Sequence, residues 1–145
     1  MEKIKRLREQ FAQAGIDGML VTSPFNRRYM TNFTGTSGVA LISEEKALFI
    51  TDFRYVEQAG NQAKGYEIVQ HAVPIHEEVA KQAEKLGIQK LGFEKDHLTF
   101  SNYQDYQKAF KGELVPVGDI IENLRLIKSE SEIKILKEAA DIADA

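Results

Sequence analysis

The 145-residue chain is long enough for one domain with its own core, since 43% of its residues are hydrophobic. Its 19 Lys and Arg residues against 22 Asp and Glu residues give a net charge of −3, which argues against a dedicated nucleic-acid-binding protein. The absence of cysteine excludes disulfides, thiol catalysis and Cys-ligated metals, and the lack of a signal peptide or an apolar run of about 20 residues predicts a cytoplasmic protein outside membranes.

Helix and strand patterns alternate along the chain. Apolar residues recur at helical spacing in some segments, as at Ile4, Leu7 and Phe11, and form short continuous runs in others. Glycine follows several helical segments, where a left-handed residue commonly ends a helix. The predicted elements, in chain order, are a helix over 2–14, a strand over 18–23, a helix over 24–32, strands over 39–42 and 47–50, a helix over 52–64, a strand over 67–70, a helix over 74–86, a strand over 90–94, a helix over 99–110, a strand over 114–117 and a helix over 120–127.

The apolar strands predict a sheet that is covered on both faces, because their runs show little alternation. The polar residues 43–46 join two of these runs and predict a hairpin in the middle of the sheet. Pro116 predicts that the last strand lies at an edge, since proline cannot donate a ladder hydrogen bond. We therefore predict a three-layer α/β domain with a mixed, partly antiparallel sheet flanked by helices.

The last residues have the features of a helix that is cut short. Ser129 and Glu132 form a capping box at its start. No Gly, Asn or Pro follows, and Asp141 and Asp144 carry the wrong charge for a helix C-terminus. We expect the chain to be a truncated piece of a longer protein, with a frayed natural tail as the alternative.

Several catalytic motifs are excluded because a required residue is missing at its position. His76 begins a zinc-protease-like sequence, but Ala80 occupies the position of the second ligand one turn later. Residues 35–38 lack the second glycine of a nucleophile elbow and the lysine of a phosphate loop, so we interpret them as a structural turn. The first strand lacks the acidic residue of a two-metal nuclease. We interpret His71 and His97 as solvated residues and expect no metal site in this chain.

Residues 51–55 lie between a buried strand and a helix, at the edge where α/β sheets bind ligands. Two interpretations remain open. In the first, Asp52 caps the helix, Tyr55 packs and Arg54 is solvated. In the second, Arg54 presents its planar group of donors to a carboxylate. Residues 26–29 are similarly ambiguous, because their cationic helix face is either a binding surface or merely exposed.

Three segments support a more specific interpretation when they are taken together. Residues 26–35 are NRRYMTNFTG, residues 48–55 are LFITDFRY and residues 124–133 are LRLIKSESEI. They resemble, in order and spacing, the N-x-R-Y-L-T-G-F-T-G stretch, the T-D-x-R-Y turn and the R-x-I-K-S-x-x-E-I connector of the creatinase/prolidase N-terminal domain. Bacterial Xaa-Pro dipeptidases and aminopeptidases P are the most similar members. Asn32 stands where the family often has Gly, and Asn also tolerates a left-handed backbone.

The resemblance implies that residues 1–126 form this N-terminal domain. Residues 127–145 would then be the connector and the truncated first helix of a missing C-terminal catalytic domain. That domain would hold two divalent metal ions, usually manganese, on two Asp, one His and two Glu ligands that lie outside this chain. The implied reaction is metal-dependent hydrolysis of the bond before proline, and the chain alone is expected to be inactive.

The resemblance also implies partners and a site. The domain is expected to contribute to a homodimer, to contact its own catalytic domain and to wall a cleft for short proline-containing peptides. The expected residues of this rim are Arg28, Tyr29, Asp52, Arg54 and Tyr55. Among them, Arg54 is expected to meet a substrate carboxylate.

Two alternatives to a peptidase domain remain open on the sequence. One is a stand-alone interaction or small-ligand-binding module that keeps the fold as a dimerisation surface. The other is the N-terminal domain of a metal-independent creatinase. The coding sequence downstream of residue 145 would discriminate among the three, because the metal ligands would lie there.

Overall fold

The computed structural model describes residues 2–126, which form seven helices and six strands. In chain order they are α1 (Glu2–Glu9), α2 (Phe11–Ala14), β1 (Gly18–Val21), α3 (Pro24–Thr31), β2 (Val39–Ser43), β3 (Ala47–Thr51), α4 (Val56–Gln62), β4 (Glu67–Gln70), α5 (Ile75–Lys85), β5 (Lys90–Glu94), α6 (Phe100–Ala109), β6 (Glu113–Val117) and α7 (Ile120–Leu126). The predicted capping box and final helix lie outside the described residues. None of these helices is long and apolar enough to cross a bilayer.

The six strands form one mixed sheet in the order β4-β3-β2-β1-β5-β6. β2 pairs antiparallel with β1 and β3, whereas β3 with β4, β1 with β5 and β5 with β6 are parallel. The carboxyl ends of five strands therefore lie at one edge, together with the segment that enters β2. We call this the carboxyl edge. The residues that directly follow the five strands or precede β2 there are Thr22, Asp52, His71, Lys95, Gly118 and Gly38.

Side chains alternate between the two faces of the sheet and fill two hydrophobic cores. In β2, Ala40 and Ile42 belong to one core, whereas Val39 and Leu41 belong to the other. The first core packs against α1, α2, α3, α4 and α7, and the second packs against α5 and α6. The sheet is thus covered on both faces, which confirms the predicted three-layer α/β architecture.

Several local predictions are confirmed by the backbone. Ser23 caps α3, because its Oγ accepts a hydrogen bond from the Asn26 N–H at 3.3 Å. Asn32 ends the same helix in the left-handed conformation, with φ of 66°. Residues 43–46 join β2 and β3 as an antiparallel pair. β6, which contains Pro116, lies at an edge of the sheet.

Two predicted helices were wrong at a boundary. The helix predicted over 2–14 is divided at Gln10 into α1 and α2, because the Gln10 N–H bonds to the carbonyl three residues earlier and tightens the turn. The helix predicted from Asp52 begins at Val56 instead. The Asp52 carboxylate accepts the Arg54 N–H at 3.0 Å, so it stabilises a turn before the helix rather than the helix itself.

Candidate functional site

The candidate site lies at the carboxyl edge, where β3 ends and the loop of residues 34–38 enters β2. Asp52 directly follows β3, and Arg54 and Tyr55 precede α4. The structure brings these three side chains into contact, and we call them the rim cluster. Their position agrees with the general tendency of α/β sheets to bind ligands beyond the carboxyl ends of their strands.

The Arg54 guanidinium binds the Asp52 carboxylate with two hydrogen bonds. Arg54 Nε donates to Asp52 Oδ1 at 3.1 Å, and Nη2 donates to Oδ2 at 2.9 Å. The side-chain hydrogen bond from Arg54 lowers the pKa of the Asp52 carboxyl to about 2, and that carboxylate raises the pKa of Arg54. The Arg54 side chain is 60% exposed, so its other N–H donors remain accessible to a ligand carboxylate.

Tyr55 connects the rim cluster to the loop of residues 34–38. Its hydroxyl lies 2.7 Å from Thr36 Oγ1, and its ring packs edge-on against Phe33 with the ring centroids 5.6 Å apart. The Arg54 guanidinium carbon lies 5.3 Å from the Tyr55 ring centroid, within the range of a cation–π contact. The loop and the turn after β3 therefore form one connected surface.

Arg27 holds the same loop from the side of α3. It is only 7% exposed, and burial lowers the pKa of its guanidinium. Its Nη1 donates to the Gly38 carbonyl at 2.8 Å, and its Nη2 donates to the Gly35 carbonyl at 2.9 Å. From β3, Thr51 Oγ1 donates to the Ser37 carbonyl at 2.8 Å. Three carbonyls of the loop are thus fixed by side chains of neighbouring elements.

The importance of Arg27 could not be predicted from the sequence. The cationic face of residues 26–29 is neither wholly a binding surface nor wholly exposed, because Asn26 and Arg27 are buried and Arg28 is exposed. Two adjacent residues of the same type have opposite surroundings. Only the tertiary position of the loop carbonyls distinguishes them.

The two expected rim residues on α3 have different surroundings from the rim cluster. Arg28 is exposed. Tyr29 is half-buried, and its hydroxyl donates to the Leu124 carbonyl of α7 at 3.1 Å. Lys3 Nζ lies 4.3 Å from the Tyr29 ring centroid and donates to the Tyr29 carbonyl at 2.8 Å. The structure therefore places Tyr29 against α1 and α7.

A second polar cluster at the carboxyl edge joins α3, β5 and α7. The buried Glu94 carboxylate accepts hydrogen bonds from the Ser23 N–H at 2.9 Å and from Asn26 Nδ2 at 2.7 Å. Asn26 Nδ2 also bonds to Glu122, and Arg125 Nη1 donates to Asn26 Oδ1 at 3.2 Å. The cluster borders a cleft of about 310 Å³. Because every group is paired with another, its evident role is to fix α7 against α3.

The histidines do not assemble into a metal centre. Residues 2–126 contain no group of three or more His, Asp or Glu side chains that could hold a metal ion. His97 is exposed, and His71 Nδ1 lies 2.8 Å from the Val73 carbonyl oxygen. His76 packs edge-on against Tyr106, with ring centroids 6.3 Å apart. The exposure of His97 confirms its prediction, whereas His71 is half-buried with its Nε2 shielded from solvent, so the prediction that it is solvated was wrong.

Known proteins match the chain along almost its whole length. The model of the Creatinase/Prolidase N-terminal domain family matches residues 3–127. A solved structure of an Xaa-Pro dipeptidase from Bacillus anthracis is 64% identical, with a TM-score of 0.88 over 99% of this chain and 41% of that chain. An uncharacterized peptidase, YqhT, from Bacillus subtilis (strain 168) is 54% identical over 143 residues, which are 98% of this chain and 40% of the relative.

A second similar structure is an isolated domain. It is the N-terminal domain of the cytoplasmic peptidase PepQ from Mycobacterium tuberculosis H37Rv, 30% identical, with a TM-score of 0.78 over 85% of this chain and 98% of that chain. The chain thus spans about two-fifths of the full-length relatives and nearly all of this solved domain. Because the family model matches residues 3–127 and the fold is similar to that of a solved domain of this kind, the chain belongs to the creatinase/prolidase N-terminal domain family.

Proposed function

We propose that this chain is the non-catalytic N-terminal domain of a metal-dependent Xaa-Pro peptidase, either a proline dipeptidase or an aminopeptidase P. The observation that carries this proposal is the 64% identity to the Bacillus anthracis Xaa-Pro dipeptidase over 99% of the chain. Since the chain spans 41% of that protein, the bond-breaking chemistry is assigned to the part that follows it. We call that part the catalytic region.

The proposal assigns two divalent metal ions, with manganese as the expected metal, to the catalytic region. Its support is the similarity to the Bacillus anthracis Xaa-Pro dipeptidase, together with the resemblance to a family of metal-dependent peptidases. Two metal ions supply activation of the attacking water and stabilisation of the developing charge. The domain described here would contribute the shape and charge of the cleft, and we expect it to have no peptidase activity by itself.

The rim cluster is proposed to form part of the wall of the substrate cleft. Arg54 is proposed to bind the carboxylate of a short peptide, which is supported by its exposure and by its orientation on Asp52. Tyr55 fixes the adjacent loop. The proposed rim includes Arg28 and Tyr29 on α3, of which Arg28 is exposed. Because a substrate proline has no backbone N–H, such flanking charges and the shape of the cleft must identify it.

The proposed full-length protein is a cytoplasmic homodimer in which this domain contributes to dimerisation. The location is supported by the similarity to the N-terminal domain of PepQ, which is described as a cytoplasmic peptidase. The dimer is supported by the family resemblance. The proposed substrates are short peptides that contain proline, without a nucleic-acid or membrane partner.

The test compares the full-length protein with this chain alone. Each is stripped of metal with a chelator and assayed on an Xaa-Pro dipeptide and on a longer peptide with proline in second position, with and without Mn²⁺. We expect Mn²⁺-dependent hydrolysis by the full-length protein only. Cleavage of the dipeptide alone would indicate a dipeptidase, and cleavage of the longer peptide an aminopeptidase. Hydrolysis by this chain alone, or none by the full-length protein, would contradict the proposal.

A further inference from the structure

The exposed large apolar side chains of the domain are concentrated at the carboxyl edge. In residues 2–126 there are five such side chains, and four of them follow the carboxyl end of a parallel strand. These four are between 46% and 77% exposed. We call them the edge patch, which consists of Phe25 after β1, Phe53 after β3, Val73 after β4 and Phe100 after β5.

The edge patch is wide enough to form part of a protein interface. The strands that precede its members lie between β4 and β5 in the sheet order. Four spacings of about 4.8 Å separate β4 from β5, so these strands extend over about 19 Å. Three members are phenylalanines, which carry much of the energy of protein interfaces when they are buried. At the opposite edge, the hairpin between β2 and β3 presents the exposed charges of Glu44, Glu45 and Lys46. Single exposed apolar residues are common, but their concentration at one edge indicates a contact surface.

The polypeptide leaves the described domain beside this patch. Arg125, in the last turn of α7, donates to Asn26 Oδ1 at 3.2 Å, and Asn26 directly follows Phe25. Leu126, the next residue, is 80% exposed and is the fifth exposed large apolar side chain. Full-length relatives extend far beyond this point, since the chain spans only 40% of one and 41% of another. The region that follows is therefore delivered next to Phe25.

We propose that the edge patch is the surface on which the catalytic region of the same polypeptide docks, with Phe25 and Phe100 as its apolar anchors. The inference rests on the proposed function, which supplies the catalytic region. Phe53 lies between Asp52 and Arg54 in the sequence, so docking on the patch would bring the rim cluster to the border of the interface. Arg54 would then face the cleft between the two parts.

The test uses the full-length protein and the absence of cysteine from this chain. Phe25→Cys, Phe100→Cys and the control Glu45→Cys each add one thiol to a chain that has none. In the native protein, we expect a maleimide to label the first two at least about tenfold more slowly than the control, because the core of an interface excludes water. In denaturant all three should react alike. Unsubstituted protein, labelled in parallel, accounts for any thiol of the catalytic region.

A second measurement avoids substitution. Hydroxyl-radical oxidation of the unsubstituted full-length protein should modify Phe25 and Phe100 far less when it is native than when it is unfolded. If the maleimide labels both variants as fast as the Glu45→Cys control, in protein that hydrolyses Xaa-Pro peptides, the proposed docking surface is wrong and the proposed function stands. Protected thiols in a protein without that activity would overturn the proposed function and support a docked region. Protection that is lost on dilution to the monomer would assign the patch to a second copy and overturn this inference.

Discussion

The buried guanidinium of Arg27 donates a 2.8 Å hydrogen bond to the carbonyl oxygen of Gly38, 11 residues further along the chain. The same side chain holds the Gly35 carbonyl at 2.9 Å. Between these two carbonyls lies Thr36, whose hydroxyl contacts Tyr55 of the rim cluster. One arginine therefore fixes two of the carbonyls of a loop that contains two glycines.

Replacing Arg27 with methionine should lower the free energy of unfolding by about 3 kcal/mol, because hydrogen bonds from a charged donor to two carbonyls are lost. The matched control is Arg28→Met, on the exposed neighbour of the same type, and we expect its effect to stay within about 0.5 kcal/mol. Urea unfolding of both variants measures the difference. Equal losses would show that the buried hydrogen bonds of Arg27 do not stabilise the fold.

The loop should also depend on glycine at position 38. Gly38 has φ of 143°, and a Cβ there would lie 2.5 Å from the ring of Phe49. We expect Gly38→Ala to cost about 2 kcal/mol through backbone strain and overpacking. Gly60, in α4, has no atom within 4 Å of an added Cβ, so Gly60→Ala should stabilise the protein by about 0.5–1 kcal/mol. Thermal or urea unfolding should give opposite signs, and a loss in both variants would be inconsistent with this account.

Asp52 should titrate near pH 2 in the folded protein, since the Arg54 side chain lowers the pKa of its carboxyl to about 2. This folded pKa is below the value of about 3.9 for an unperturbed aspartate. The contribution of Asp52 to stability is therefore present above about pH 4 and is lost as the pH falls towards 2. Carboxyl-carbon NMR titration measures the pKa directly. Arg54→Met should raise it and the exposed control Lys108→Met should leave it unchanged, whereas no rise in Arg54→Met would rule out the ion pair as the cause.

Alkaline pH should destabilise the domain through two buried tyrosines. Burial raises the pKa of Tyr106 to about 12 and also raises the pKa of Tyr66, whose hydroxyl donates to the Met30 carbonyl at 3.1 Å. Because the folded pKa is raised, the contribution of these tyrosines to stability is fully present below the unfolded pKa of about 10 and is lost as the pH rises towards 12. Tyr106→Phe should make this loss less steep in urea unfolding, and should remove a phenolate absorbance step near pH 12. Loss of a step near pH 10 instead would contradict burial as the cause.

In the proposed full-length peptidase, Arg54→Met should raise KM about tenfold with a smaller change in kcat, because the proposed charged hydrogen bond to the substrate carboxylate is lost. Lys108→Met, on the exposed surface of α6, is the control and should change neither constant. Steady-state hydrolysis of an Xaa-Pro dipeptide provides both values. A fall in kcat at constant KM would mean that Arg54 acts on the reaction rather than on binding.

The sequence predicted the architecture because its local signals agreed with the packing. Gly15 and Asn32 end their helices in the left-handed conformation, as their residue types indicate. Continuous apolar runs marked strands that are buried on both faces. The division of the first helix at Gln10 depends on one backbone hydrogen bond, for which the residue type gives no signal. The late start of α4 at Val56 follows from the Asp52 carboxylate, which accepts the Arg54 N–H in a turn, whereas the same residue type is equally compatible with a helix cap.

The candidate site was predictable only in part. The predicted strand over 47–50 placed Asp52 and Arg54 just beyond its end, at the ligand-binding edge, and the structure brings them into contact. The burial of Arg27 was not predictable, because arginine is mostly exposed and becomes buried only where the fold supplies acceptors. Those acceptors are carbonyls of a loop whose position depends on the pairing of β2 with β1 and β3.

β2 runs antiparallel to the other five described strands. Because of this reversal, the segment that enters β2 lies at the same edge as the five segments that leave the other strands, which gives six connections there. An insertion, deletion or substitution in any of these six connections would remodel the same surface without altering a pairing inside the sheet. Where this edge lines a substrate cleft, as proposed, changes in loops alone would give relatives with this scaffold different substrate preferences, while both hydrophobic cores stay as they are.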